Sequence, residues 1–265
     1  MYAAAPFDRL AAGYDRSFTA SAIGLRMRAA VWARLDAAFH PGDRVLELNC
    51  GTGEDAVYLG KRGVRVLATD ISPGMIATAR AKVVAAGLSE RVGLARLAIE
   101  DLDIEGLPGP FDGVLSNFGG FNCVEELPGL ACALAATVRP GGRALLCVMG
   151  PVVPWEWGWF LARGEPWKAI RRLRRKGVPW HGLTIRYPSV GEVRRAFAPY
   201  FVQRRVAAIG ALVPPTFAES WATRHPRLLA ALGRLERRAE TVWPLPWLAD
   251  HFLIELERVS ERIRR

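Results

Sequence analysis

The chain of 265 residues is 51% hydrophobic and 23% charged, which excludes a disordered or collagen-like chain and fits one large domain, or one domain with an appendage. Its formal charge of +10 is uneven, for residues 1–150 carry 15 basic and 16 acidic side chains whereas residues 151–265 carry 21 and 10. The first ten residues, with Asp8 and Arg9, lack the basic start and apolar core of a secretory leader, and the uncharged run 144–155 is too short to span a bilayer, so a cytoplasmic protein is expected. The first predicted element is a helix over 21–39, where Ile23, Met27, Ala30, Val31, Arg34 and Leu35 recur at helical spacing before His40-Pro41-Gly42-Asp43 ends it. From Arg44 strands and helices alternate. Strands are predicted at 44–48, 65–70, 92–97, 113–116 and 143–149, and helices at 55–62, 74–86 and 126–138. Turns at 61–63, 86–88, 108–110 and 139–142 separate them. Such alternation argues for a parallel sheet with helices on both faces and a ligand crevice at the strand C-termini.

After Gly150 the character changes. Residues 151–159 are rich in Pro and Trp, and 162–177 form a basic segment holding Arg171, Arg172, Arg174, Arg175 and Lys176. A short strand is predicted at 184–187. Ser189 with Glu192 three residues on reads as a capping box for a helix ending near Pro199. A strand at 201–209, a helix at 228–241 and a last strand at 251–259 complete the chain. The four cysteines, Cys50, Cys123, Cys132 and Cys147, form no Cys-x-x-Cys pair and read as small buried hydrophobes rather than a disulfide or zinc framework.

The chemistry starts where the first strand runs into glycines. Gly51-x-Gly53-x-x-Ala56 satisfies a dinucleotide fingerprint and Asp70 falls near its ribose-binding position, which leaves an NAD oxidoreductase open. The wider set Glu47-x-Asn49-x-Gly51-x-Gly53 resembles the first motif of class I S-adenosylmethionine-dependent methyltransferases, an acid followed by glycines. Asn49 replaces the first glycine, and Asn tolerates left-handed backbone better than most residues. Asp70, with Ile71 and Met75 beside it, resembles that family's acid for the ribose hydroxyls, since a carboxylate accepts from both. Glu100-Asp101-Leu102 resembles the third motif, in which Asp101 would accept from the adenine amine. The segment 111–118, through Ser116, Asn117 and Phe118, resembles the fourth strand and the loop beside the transferred methyl. Arg139-Pro140-Gly141-Gly142-Arg143 resembles the turn before the fifth strand, and a helical preface ending in Tyr14-Asp15 resembles a lid whose Tyr reaches the cofactor carboxylate.

The resemblance implies an α/β fold: a doubly wound, mostly parallel seven-stranded sheet with an antiparallel last strand, a helical lid (1–43), a Rossmann-like core (44–150) and a remainder (151–265) carrying a substrate-side insertion. It implies S-adenosyl-L-methionine as cofactor; no metal is expected, because His40, His225 and His251 show no metal-ligand spacing. Methyl transfer from a sulfonium is in-line displacement, so alignment matters more than acid–base help. The candidates for such help are His181 and Asn117. Substrate contacts are expected from Phe118, Phe121, Asn122, Trp155, Glu156 and Trp157, and the tryptophans suit a small hydrophobic or lipid-like acceptor. Arg171, Arg172, Arg174 and Arg175 offer contact to an anionic headgroup or a membrane surface. An RNA methyltransferase using the basic part is the alternative. It is disfavoured because the loop Ser116-Asn117-Phe118-Gly119 lacks the Asn/Asp-Pro-Pro-aromatic sequence of amino-directed nucleic-acid enzymes.

Overall fold

The apolar strand runs stack side by side because buried parallel strands need both faces covered. The computed structural model describes residues 5–102, 107 and 109–260. In chain order, α1 (Ala5–Tyr14), a π-helical turn (Asp15–Thr19) and α2 (Ala22–Ala38) precede β1 (Arg44–Leu48), α3 (Glu54–Lys61), β2 (Arg65–Asp70), α4 (Pro73–Ala85) and β3 (Val92–Arg96). Then come β4 (Phe111–Ser116), α5 (Leu127–Thr137) and β5 (Val138–Met149). The rest comprises α6 (Pro154–Leu161), α7 (Pro166–Ala169), β6 (Val178–Trp180), β7 (Leu183–Ile185), α8 (Val190–Phe197), β8 (Phe201–Ile209), α9 (Glu219–Arg224), α10 (Pro226–Ala239) and β9 (His251–Arg258).

The main sheet has seven strands in the order β3-β2-β1-β4-β5-β9-β8. The first five are parallel, and β9 runs antiparallel to both β5 and β8. Alternate residues feed opposite cores. Leu145 and Cys147 of β5 join Ile23, Met27, Val31 and Leu35 of α2 and Leu59 of α3, whereas Leu146 and Val148 join Leu130 and Leu134 of α5 and Val193 and Phe197 of α8. The strand order reverses at β1 and β4, which puts a crevice over their C-terminal ends.

Local signals account for the helix ends. Ser21 accepts from the Gly24 N–H and Ser72 from the Met75 N–H, while Ser189 and Glu192 form the full capping box. Three predicted boundaries need correction. The 139–142 turn lies inside β5: Phe111 pairs with Val138 and Gly113 with Arg143, so the intervening residues bulge, with Gly141 at φ +76°. The Pro/Trp stretch contains α6 and, further on, α7, each with Pro in its first turn, where a missing N–H costs nothing. The predicted 184–187 strand is one arm of a two-stranded hairpin, β6–β7, whose other arm includes Pro179. The cysteines also differ from expectation, for Cys132 is exposed on α5 and Cys123 half-buried.

Candidate functional site

A cavity opens over the ends of β1, β2 and β4, and the chain leaves β1 through three left-handed residues, Asn49 (φ +54°), Gly51 (φ +54°) and Gly53 (φ +76°), the first two of which line the cavity. Each has a different neighbour. A Cβ at Gly51 would meet nothing within 4 Å, whereas one at Gly53 would sit 2.7 Å from Ala79 Cβ. The first glycine therefore faces open space and the second lets α3 approach α4 closely.

Asp70 ends β2 in the cavity wall, 7% exposed. Its Oδ2 accepts from the Gly51 N–H and its Oδ1 from the Ser72 N–H, both at 2.9 Å. Burial raises its pKa, and these two backbone donors pull against that rise. Ile71, Met75, Ala98, Ile99, Glu100, Cys123 and Leu183 continue the wall. Burial raises the Glu100 carboxyl as well.

A second charged group lines the other end. Arg28, projecting from α2 and 5% exposed, donates from NH1 to Asp55 Oδ1 at 2.7 Å. Asp55 also accepts from Trp32 Nε1 at 2.6 Å and, through Oδ2, from Asn117 Nδ2 at 2.8 Å. The Arg28 guanidinium lies 5.1 Å from the Phe118 ring centre and 5.7 Å from that of Phe18. Three buried polar atoms here have no partner among the described residues: Arg28 Nε, Asn49 Nδ2 and Asn117 Oδ1. Buried donors and acceptors are normally satisfied, so the unsatisfied ones ask for a polar ligand. Tyr14 stands at the same end, its hydroxyl pKa raised by burial.

The helical segment before β1 is held by side chains of its own. Asp8 Oδ1 accepts from Ser72 Oγ at 2.5 Å and from the Gly74 N–H at 3.0 Å, at the start of α4. Asp15 accepts from Thr52 Oγ1 and pairs with Lys82 Nζ, both at 2.7 Å. Phe7 of α1 meets Trp180 of the hairpin with ring centres 5.5 Å apart.

Among the residues expected at the site, Tyr14, Asn49, Gly51, Asp70, Ile71, Met75, Glu100, Asn117 and Phe118 line this cavity. The others stand elsewhere. Glu47 lies beneath it, 1% exposed. Gly53 packs on α4, Ser116 is sealed in β4, and Leu102 is buried outside the wall while Asp101 is exposed, because their 3₁₀ turn presents Glu100 to the cavity instead. Phe121 belongs to the core with Phe197. Asn122 clamps backbone, giving Nδ2 to the carbonyls of Met149 and Arg186 and taking the Met149 N–H on Oδ1. Trp155 donates to the Ala211 carbonyl, Glu156 binds Arg171 and Arg172 internally, and Trp157 lines a separate outer groove. His181, at φ +47°, forms the exposed tip of the hairpin with Gly182 at φ +87°, a primed-turn conformation that turns the chain back. Arg28 and Asp55, 27 residues apart, carry no local motif; the one clue is an arginine on the apolar side of α2. Among the described residues, no group of three or more His, Cys, Asp or Glu is placed to hold a metal ion.

A family model described as a methyltransferase domain matches residues 45–142. The chain is similar to a demethylmenaquinone methyltransferase of Clavibacter sepedonicus, 34% identical over 151 residues that cover 57% of this chain and 59% of the relative. The protein of the same name from Thermobifida fusca (strain YX) is 33% identical over 172 residues, 63% of this chain and 70% of the relative. The chain thus spans about three fifths of the length of the first curated relatives it matches. In fold it is similar to an S-adenosylmethionine dependent methyltransferase from Mesorhizobium loti, with a TM-score of 0.55 at 22% identity over 86% of this chain and 98% of that one.

Proposed function

The chain belongs to the class I S-adenosylmethionine-dependent methyltransferases, and from that premise we propose that it methylates a small, hydrophobic acceptor. The observation that carries this reading is the cavity itself, with a buried carboxylate at one end and a buried, partly unsatisfied arginine at the other. The cofactor has a diol, an aromatic base and a charged amino-acid end, and those needs match. Asp70 would accept from the ribose hydroxyls, its remaining lone pairs being free for O–H donors. Ile71, Met75 and Ile99 would sandwich the base, with Glu100 beside it. Arg28 would take the carboxylate with help from Tyr14 and Asn49, and Asn117 Oδ1 would accept from the ammonium.

The bound cofactor supplies an activated methyl on a sulfonium. The chain's own residues supply alignment and dryness. The lid closes the cavity through Asp8 and Asp15, and Phe118 and Phe18 offer a ring-lined approach to Asn117. An apolar, ring-bearing acceptor suits those walls. The relatives' name suggests demethylmenaquinone as the first molecule to try.

We further propose, as the finer reading of the basic C-terminal part, peripheral contact with an anionic lipid surface. Trp167, Leu161, Leu173 and Ile170 are 74%, 57%, 50% and 47% exposed around one outer groove, with Arg174, Arg175 and Lys176 exposed just beyond. Exposed Trp and Leu rimmed by cations suit the boundary between headgroups and acyl chains. Arg172, expected on this face, is buried in ion pairs instead. No helix among the described residues is long and apolar enough to cross a membrane.

The test is to incubate the purified chain with methyl-labelled cofactor and, under a chemical reductant that keeps quinones as hydroquinones, either demethylmenaquinone or a total lipid extract. Label in the lipid-soluble phase supports the reading. Label confined to the aqueous phase with both would overturn a hydrophobic acceptor.

A further inference from the structure

His251 opens β9 opposite Met149, the last residue of β5, and Ile209, the last of β8. Three strand ends thus deliver one imidazole to the edge of the sheet on which the cavity lies. The ring is 7% exposed and meets Phe118 edge to face, with centres 5.5 Å apart. Phe118 in turn lines the cavity beside Arg28 and Asn117.

Behind the imidazole runs a chain of buried charges. His251 Nδ1 stands 3.2 Å from Asp250 Oδ2. Asp250 Oδ1 accepts from Arg172 NH2 at 2.5 Å, and the same nitrogen donates to Glu156 Oε1 at 2.8 Å. Arg172 NH1 donates to the carbonyls of Asp250 at 3.0 Å and Gly150 at 3.3 Å, and Arg171 reaches the same Glu156 oxygen at 2.8 Å. Glu156, Asp250 and Arg172 are all under 8% exposed. Buried ion clusters are seldom better than apolar packing for stability, so a cluster that ends on a histidine at the working edge of the sheet has a use to be found. Burial would raise the Asp250 carboxyl, but Arg172 and His251 outweigh it and hold Asp250 well below the usual carboxylate range.

We propose that His251 is the proton acceptor of the methyl transfer, with Asp250 its positioning residue and Arg172 the anchor that keeps Asp250 ionised. This rests on the methyl-transfer reading of the cavity. An acceptor seated along Phe118 presents its reacting O–H, N–H or C–H to Nε2, which has no protein partner among the described residues. As the acceptor atom bonds to the methyl carbon, the carbon–sulfur bond breaks and its electron pair leaves on sulfur. The acceptor's proton passes to Nε2, and the imidazolium so formed faces the Asp250 carboxylate. The Nδ1 atom meets no hydrogen-bond geometry among the described residues, and catalytic contacts commonly tighten only when substrate binds. The other charged or titratable groups around the ring are Arg28 paired with Asp55 across Phe118, Glu156 behind Arg172, and Cys147 of β5, whose thiol burial pushes up to about 12.

Two measurements decide it. Methyl transfer to demethylmenaquinone, reduced beforehand to its hydroquinone so that the ring is a nucleophile, is followed from about pH 5.5 to 9 for the wild type, His251→Gln and His251→Ala. We expect the wild-type rate to fall on the acid side and His251→Gln to lose that limb with roughly a 100- to 1,000-fold drop in kcat. Affinity for S-adenosylhomocysteine should be unchanged, and added imidazole should restore part of the His251→Ala rate. Ring ¹⁵N spectra of the chain with S-adenosylhomocysteine need no acceptor, and should show the neutral ring protonated on Nδ1 and bare on Nε2. A neutral ring protonated on Nε2, or a His251→Gln variant that keeps the rate and the acid limb, overturns the proposal. If the wild type binds S-adenosylhomocysteine but leaves demethylmenaquinone untouched, the acceptor reading fails, and the tautomer alone decides for or against His251.

Discussion

Glu47 ends up 1% exposed, its Oε2 without a hydrogen-bond partner among the described residues, beneath the turn it introduces. Burial first, and the Asp55 charge next, raise its pKa well above the ordinary carboxylate range. A carboxyl raised by folding contributes its full stability below the unfolded value of about 4.3 and loses it as pH climbs through the folded value. Glu47→Gln is therefore expected to raise the melting temperature of the cofactor-free chain at pH 8 by about 2–4 °C, with the gain vanishing near pH 4. Calorimetric melts across that range check it, and a gain that grows toward acid would reverse the sign. At this scale the sequence shows the residues that sit together in one turn, such as Asn49, Gly51 and, one strand along, Asp70. Arg28, Asp55 and Trp32 stay hidden because their meeting depends on how α2 lies over α3. Asp101 looked like the adenine partner, but a 3₁₀ turn three residues long decides which of two neighbouring acids faces the cavity, and no local pattern encodes that choice.

The helical segment before β1, proposed as a lid, is tied down by few bonds. Lys82 Nζ of α4 gathers Asp15 at 2.7 Å, Glu54 at 2.9 Å and the buried Thr52 Oγ1 at 3.1 Å, the three charged groups being partly open to water. Such pairs weaken with salt. Asp15→Asn should speed release of S-adenosylhomocysteine several-fold in stopped-flow experiments and should remove most of the salt dependence of that release; an unchanged salt slope would show that the lid is fastened elsewhere. Periodicity, caps and apolar runs make α2, α3, α4, α5, α8 and α10 and the seven strands of the main sheet legible in the sequence. The short ones, α7 with four residues and β6 with three, begin with or contain proline and give no period to read. The bulge at the start of β5 hid its first residues, since Pro-Gly-Gly is normally a turn.

At the scale of the whole molecule, the charge divide visible in the sequence sorts into two populations. Arg171, Arg172, Arg186 and Arg204 are spent on Glu156, Asp250, Glu125 and Glu257. Arg174, Arg175 and Lys176 stay exposed next to Trp167 and Leu173. Vesicles containing anionic lipid should sediment the chain, and neutral vesicles should do so poorly. Trp167→Ser with Leu173→Ser should lower the partition at least 10-fold, consistent with about 1.5–3 kcal/mol for each large apolar side chain buried. Equal binding to neutral and anionic vesicles would remove the role given to the cations.

The cavity as the seat of a sulfonium cofactor is tested most directly by calorimetric titration of the full chain with S-adenosylhomocysteine, beside NADH, for the wild type and Asp70→Ala. The homocysteine compound should bind, NADH should give no heat, and Asp70→Ala should lose about 1.5–3 kcal/mol, or roughly 10- to 150-fold in Kd. Binding of NADH without the homocysteine compound, or an Asp70→Ala variant that binds as the wild type does, would contradict it.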